Sequence, residues 1–107
     1  MNWVCRFSKS ARRELLKLDR QAQKEIVFYL EKRIASKEDP RRFGKPLKAE
    51  LAGLWRYRVR DYRLVCQIKD DVMLVLVVSV GHRKNVLRLS VFIEGFLRAH
   101  SSWLPLV

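Results

Sequence analysis

The stretch Leu54-Trp55-Arg56-Tyr57-Arg58-Val59-Arg60-Asp61-Tyr62-Arg63-Leu64-Val65-Cys66-Gln67-Ile68 alternates apolar and polar side chains along its first half. Alternation at period two marks a strand with one buried face. Residues 54–59 and 62–68 therefore form two strands joined by a turn at Arg60-Asp61. Trp55, Tyr57 and Val59 point inward, whereas Arg56, Arg58 and Arg60 share the opposite face at roughly 7 Å spacing.

A two-residue loop sets Val59 opposite Tyr62, Arg58 opposite Arg63 and Arg56 opposite Val65. Lys69-Asp70-Asp71 turns the chain again into a last strand over residues 72–80, apolar almost throughout, as in a central strand covered on both faces. A tight second hairpin places Arg63 beside Val78 and Val80 beside Asp61. On this map Arg58, Arg63 and Arg83 converge, with Arg56 and His82 nearby. Two cations directly across a strand pair repel. A polyanion relieves that cost, and the forked guanidinium binds two phosphate oxygens at once.

Upstream, residues 3–7 read as a short first strand. Ser8 or Ser10 caps a helix whose Ala11, Leu15 and Leu18 share a face, and Asp19 caps a second with Ala22, Ile26, Tyr29, Leu30 and Ile34, ending near Ser36. Residues 37–47 carry Pro40, Gly44 and Pro46 and read as a loop, basic through Arg41, Arg42 and Lys45, with Lys48 just beyond. Residues 86–97 suggest a final helix interrupted by Gly95. The expected fold is α+β, in the order β-α-α-β-β-β-α, with two N-terminal helices on a mainly antiparallel four-stranded sheet.

The chain has 107 residues, which fits one domain with a core over residues 1–86 and an apolar segment over 87–107. A hydrophobic fraction of 49% excludes a disordered polyelectrolyte. Lys+Arg 23 against Asp+Glu 11 leaves a net charge of +12, which calls for an anionic partner. Cys5 and Cys66 offer neither a disulfide framework nor paired metal spacing and read as buried reduced thiols. The N-terminus lacks signal-peptide architecture, and the longest apolar run is too short for a membrane helix. The expected setting is the cytoplasm, with no membrane contact.

No metal-ligand spacing, phosphate-cradling glycine loop or serine triad is visible, so any catalysis uses cations and an imidazole without a cofactor. RNA permits that, because its 2′-hydroxyl can attack the adjacent phosphate. The protein must align the attack, take the 2′ proton, stabilise the phosphoryl oxygens and protonate the leaving 5′-oxygen. Guanidiniums suit the charged oxygens but are poor bases, whereas His82 offers an imidazole for proton transfer. Tyr62 can stack on a base.

Gly44-Lys45-Pro46-Leu47, Leu51-Ala52-Gly53-Leu54-Trp55-Arg56-Tyr57-Arg58-Val59, Asp61-Tyr62-Arg63-Leu64-Val65 and Val80-Gly81-His82-Arg83-Lys84-Asn85-Val86 together resemble the RelE/ParE superfamily of bacterial toxins, the RelE-type branch above all. The resemblance implies a microbial-ribonuclease-like fold and the toxin of a type II toxin–antitoxin pair. RelE-type members cleave mRNA in the ribosomal A site without metal. Arg56 and Arg58 then match the two basic positions of the second strand, the latter assigned as general base. Arg63 matches the phosphate-stabilising arginine, and Arg83 the arginine of the transition state and leaving-group protonation. Lys45, Lys48, Arg60, Lys84 and Leu87 join Tyr62 as expected substrate contacts. Leu87 stands where a tyrosine usually stacks on a base.

The implied partners are a RelB-like antitoxin, the ribosome with its 16S rRNA, and mRNA, with operator DNA reached only through the antitoxin. The alternatives are a ParE-like inhibitor of DNA gyrase without ribonuclease activity, favoured by Leu87, and a weakened toxin that only binds antitoxin or RNA.

Overall fold

Local capping chemistry starts both helices. In the computed structural model, which describes residues 2–82, β1 (Val4–Phe7) leads into α1 (Lys9–Leu16) and α2 (Arg20–Tyr29). The Ala11 N–H donates to Ser8 Oγ at 3.1 Å, and the Ala22 N–H donates to Asp19 Oδ1 at 2.8 Å. Each cap satisfies an amide that the first helical turn leaves without a partner. Ala22, Ile26, Leu30 and Ile34 recur every fourth residue, a spacing that drifts around a 3.6-residue helix. A wider π-turn over Leu30–Ile34, closed by the Ala35 N–H on the Leu30 carbonyl at 2.8 Å, follows α2 and keeps Leu30 and Ile34 buried.

The remaining strands are β2 (Lys45–Pro46), β3 (Leu54–Val59), β4 (Tyr62–Lys69) and β5 (Leu74–His82). They form one sheet in the order β1-β5-β4-β3-β2, antiparallel except for the β1–β5 pair. Five strands replace the expected four, because Lys45 and Pro46 in the basic loop pair with Arg56 and Trp55. Two residues carry no periodicity, and proline tolerates only such an edge. The final helix expected after residue 86 lies outside the described residues.

Trp3, Leu15, Ile26, Leu30 and Ile34 pack on Tyr57, Val59, Leu64, Cys66, Val75, Val77 and Val80 to form the main core. A smaller cluster on the other face joins Leu54, Val65 and Val78 to Leu47, Leu51 and Leu76. The last strand is thus apolar on both faces, as its near-continuous apolar run predicts.

The β3–β4 register is the expected one: Arg56 faces Val65, Arg58 faces Arg63 and Val59 faces Tyr62. In the two-residue turn only Arg60 has a positive φ, 54°, the sign pattern of a type II′ hairpin. The β4–β5 register differs. Arg63 lies opposite Gly81 rather than Val78, and Val80 opposite Leu64 rather than Asp61. A 3-10 turn at Asp70–Val72, followed by Met73 at φ 50°, lengthens the connection and moves Lys69 opposite Leu74. A bulge then shifts the pairing once more, from Cys66–Val77 to Val65–Ser79.

Candidate active site

Strand alternation gathers Lys45, Arg56, Arg58 and Arg63 on the sheet face away from the helices. Lys45 is directly opposite Arg56 on the β2 side, and Arg58 is directly opposite Arg63. Gly81 follows Arg63 across the sheet and adds no side chain to crowd it. Among the described residues, Arg56, Arg58 and Arg63 have no ion pair. Arg58 Nε donates to the Arg60 carbonyl at 3.2 Å, which steadies its stem and leaves the other guanidinium donors for a ligand. Cross-strand repulsion costs roughly 0.2–1 kcal/mol per pair, so an unneutralised row of this kind is a ready site for phosphate.

The turn takes Arg60 off this row. Its Nε pairs with Glu25 Oε2 of α2 at 3.0 Å, a helix-to-turn contact with no short-range signature. Tyr62 and His82 face each other across β4 and β5, with ring centroids 5.6 Å apart and planes at 87°. Tyr62 packs against the main core, so alternation sets this pair on the face opposite Arg58 and Arg63. The imidazole and the arginines are therefore neighbours across the end of the sheet, not members of one row. Lys48 is exposed at the start of the Ala49–Leu51 turn, beside the outer apolar cluster. Arg83, Lys84 and Leu87 lie outside the described residues.

The basic loop is partly neutralised. Arg41 grips Asp70 with two hydrogen bonds of 3.0 and 2.6 Å and also touches Asp39, while Arg42 pairs with Glu38. The Arg41 hydrogen bonds lower the Asp70 pKa below the usual carboxylate range. Burial drives the Cys66 thiol well above its ordinary pKa and lifts Cys5 to about 11, so neither is a thiolate nucleophile at neutral pH. No group of three or more His, Cys, Asp or Glu that could hold a metal occurs among the described residues. No helix among them is long and apolar enough to cross a membrane.

A small α+β domain with two helices packed on one face of a largely antiparallel sheet is the fold of RelE-like toxins. Residues 5–87 match the family model of the ParE toxin of the type II toxin–antitoxin system parDE. Toxin RelG of Mycobacterium tuberculosis (strain ATCC 25618 / H37Rv) is 35% identical over 88 residues, covering 82% of this chain and 99% of the relative. A chain of the crystal structure of the toxin–antitoxin complex RelBE2 from Mycobacterium tuberculosis superposes with a TM-score of 0.71 at 34% identity, over 77% of this chain and 99% of that one. A double mutant of E. coli toxin RelE in the free state shares the fold, with a TM-score of 0.63 at 24% identity, over 85% of this chain and 96% of that one. The chain belongs to the RelE/ParE superfamily and is a toxin of a type II toxin–antitoxin system.

Proposed function

We propose that this toxin is an mRNA endonuclease that cleaves ribosome-bound message without a metal and so stops translation. The observation that carries the proposal is the directly opposed pair Arg58 and Arg63, flanked by Arg56 and Lys45 and without carboxylate partners among the described residues. Such a row suits one scissile phosphate with its flanking nucleotides.

In the reaction, the 2′-oxygen attacks the adjacent phosphorus while the bond to the 5′-oxygen breaks, leaving a 2′,3′-cyclic phosphate and a 5′-hydroxyl. The 2′ proton passes to a base, and a second proton goes to the leaving oxygen. Arg63 and Arg56 hold the phosphoryl oxygens. Arg58 stands at the position the resemblance assigns to the base, and Arg83 at the one it assigns to the leaving group. His82, at the sheet's end, is the alternative proton carrier, since a guanidinium gives up its proton only above about pH 12. Lys45, Lys48, Lys84 and Leu87 line the RNA path, whereas Tyr62, packed against the core, and Arg60, paired with Glu25, stand off the arginine row and are not substrate contacts in this proposal. The partners in this proposal are a RelB-like antitoxin, the ribosomal A site with its 16S rRNA, and mRNA; operator DNA is engaged only through the antitoxin. The setting is the cytoplasm.

Primer extension on translated messages tests this. Induction of the toxin produces discrete breaks, and Arg63→Ala or Arg83→Ala abolishes them. Intact messages during growth arrest overturn the proposal. The family match favours one second reading, a ParE-like gyrase inhibitor. Inhibition of supercoiling by the purified toxin, with messages uncut, identifies it.

A further inference from the structure

Past Phe7, β1 gives way to α1, and among the described residues β5 runs on without a strand partner on that side. Up to that point β5 turns its odd-numbered residues toward β1: the Val4 N–H reaches the Met73 carbonyl at 3.0 Å and the Ser8 N–H the Val77 carbonyl at 2.9 Å. An unbroken strand would next present the Ser79 N–H. The bulge inserts one residue between the Val77 and Ser79 pairings and turns the Val80 N–H outward instead. Glu14 of α1 receives it: the Val80 N–H donates to Glu14 Oε1 at 3.0 Å, and the Ser79 hydroxyl donates to the same oxygen at 3.3 Å. Ser79 is fully buried, so these donors have little access to water as an alternative.

We infer that Glu14 is a positioning residue for the proposed ribonuclease site, acting by holding the β5 bulge in register. The inference rests on that functional reading. The register downstream of the bulge sets Gly81 opposite Arg63 and His82 opposite Tyr62. Without the bulge the upstream register would run on, setting Val80 opposite Arg63 and His82 opposite Asp61, which exchanges the faces of the strand and takes the imidazole off Tyr62 to the arginine face. A carboxylate at the edge of the bulge prevents this by stabilising the one arrangement that presents the Val80 N–H.

The test compares Glu14→Ala, Glu14→Asp and Glu14→Gln in the full-length toxin. Gln keeps the carbonyl acceptor, and Asp falls one methylene short of it. NMR reads the ring-current shift between Tyr62 and His82 and the Arg63–Gly81 cross-strand contact, and primer extension on translated messages reads cleavage. Ala and Asp lose both NMR signatures with α1 and α2 intact, and cleavage falls about tenfold to a hundredfold, as a small misplacement of reacting groups predicts. Gln retains both signatures and stays within about threefold of wild-type cleavage. The inference is overturned if Ala keeps both NMR signatures, or if Gln loses them as Ala does. Should Ala fail to fold, Asp decides by the same criteria. A wild-type toxin that cuts no message overturns the functional reading instead, while the NMR comparison still judges the role of Glu14.

Discussion

Arg58 and Arg63 are opposed like charges whose arrangement opposes folding. Arg63→Ala should therefore raise the denaturation midpoint, by about 0.2–1 kcal/mol of stability, while lowering cleavage about a hundredfold or more, the scale of losing one donor to a developing oxyanion. Urea melts and primer extension measure the two sides; a destabilised yet active Arg63→Ala contradicts both. The opposition was legible in the sequence, because a two-residue turn after a clean alternation leaves one register. The departure of Arg60 toward Glu25 was not: it joins residues far apart in the chain, and no spacing rule couples a helix to a distant turn.

Among the elements, β3 is tied to the preceding loop by Tyr57, whose hydroxyl donates to the Pro40 carbonyl at 2.7 Å inside the core. Tyr57→Phe leaves that carbonyl without its donor and should cost about 1–3 kcal/mol in chemical denaturation. Gly44 lies against the same ring: a Cβ there would meet Tyr57 carbons at 3.0 and 3.1 Å and the Arg56 carbonyl at 3.2 Å. Gly44→Ala should therefore destabilise by about 1–3 kcal/mol as β2 is pushed from β3. A denaturation curve unchanged from wild type would show that the loop yields without cost. Helix starts and the first hairpin were readable because capping side chains and turn residues act over a few positions. The longer β4–β5 connection and its bulge were not, because Met73 at positive φ and the extra residue at Val78–Ser79 are tolerated only through contacts made elsewhere.

For the molecule as a whole, the charge of +12 makes phosphate contact salt-dependent. Affinity for RNA should fall steeply and linearly in log–log form as salt rises, and a flat dependence by fluorescence anisotropy excludes phosphate contact. Alkaline stability follows from the core. Burial raises the pKa of Cys5 to about 11 and pushes Cys66 and Tyr57 up as well. These groups keep their protons when folded and release them more readily when unfolded. Their contribution is complete below the ordinary thiol pKa and shrinks as pH rises from about 9 upward. Denaturation midpoints across that range should drop, and Cys66→Ala, despite its cavity, should show a shallower decline.

Apart from β2, the order of the helices and strands through β5, the inward and outward faces of β3, the first hairpin and the cationic excess were determined by the sequence alone, since each depends on residue chemistry within a few positions. The fifth strand, the capture of Arg60 by Glu25, the placement of His82 against Tyr62 rather than among the arginines, and the register of β5 were decided by the tertiary structure. Those features depend on which distant group satisfies a backbone amide or a charge, as Glu14 does at Val80, and that becomes definite only when helix and sheet are packed together.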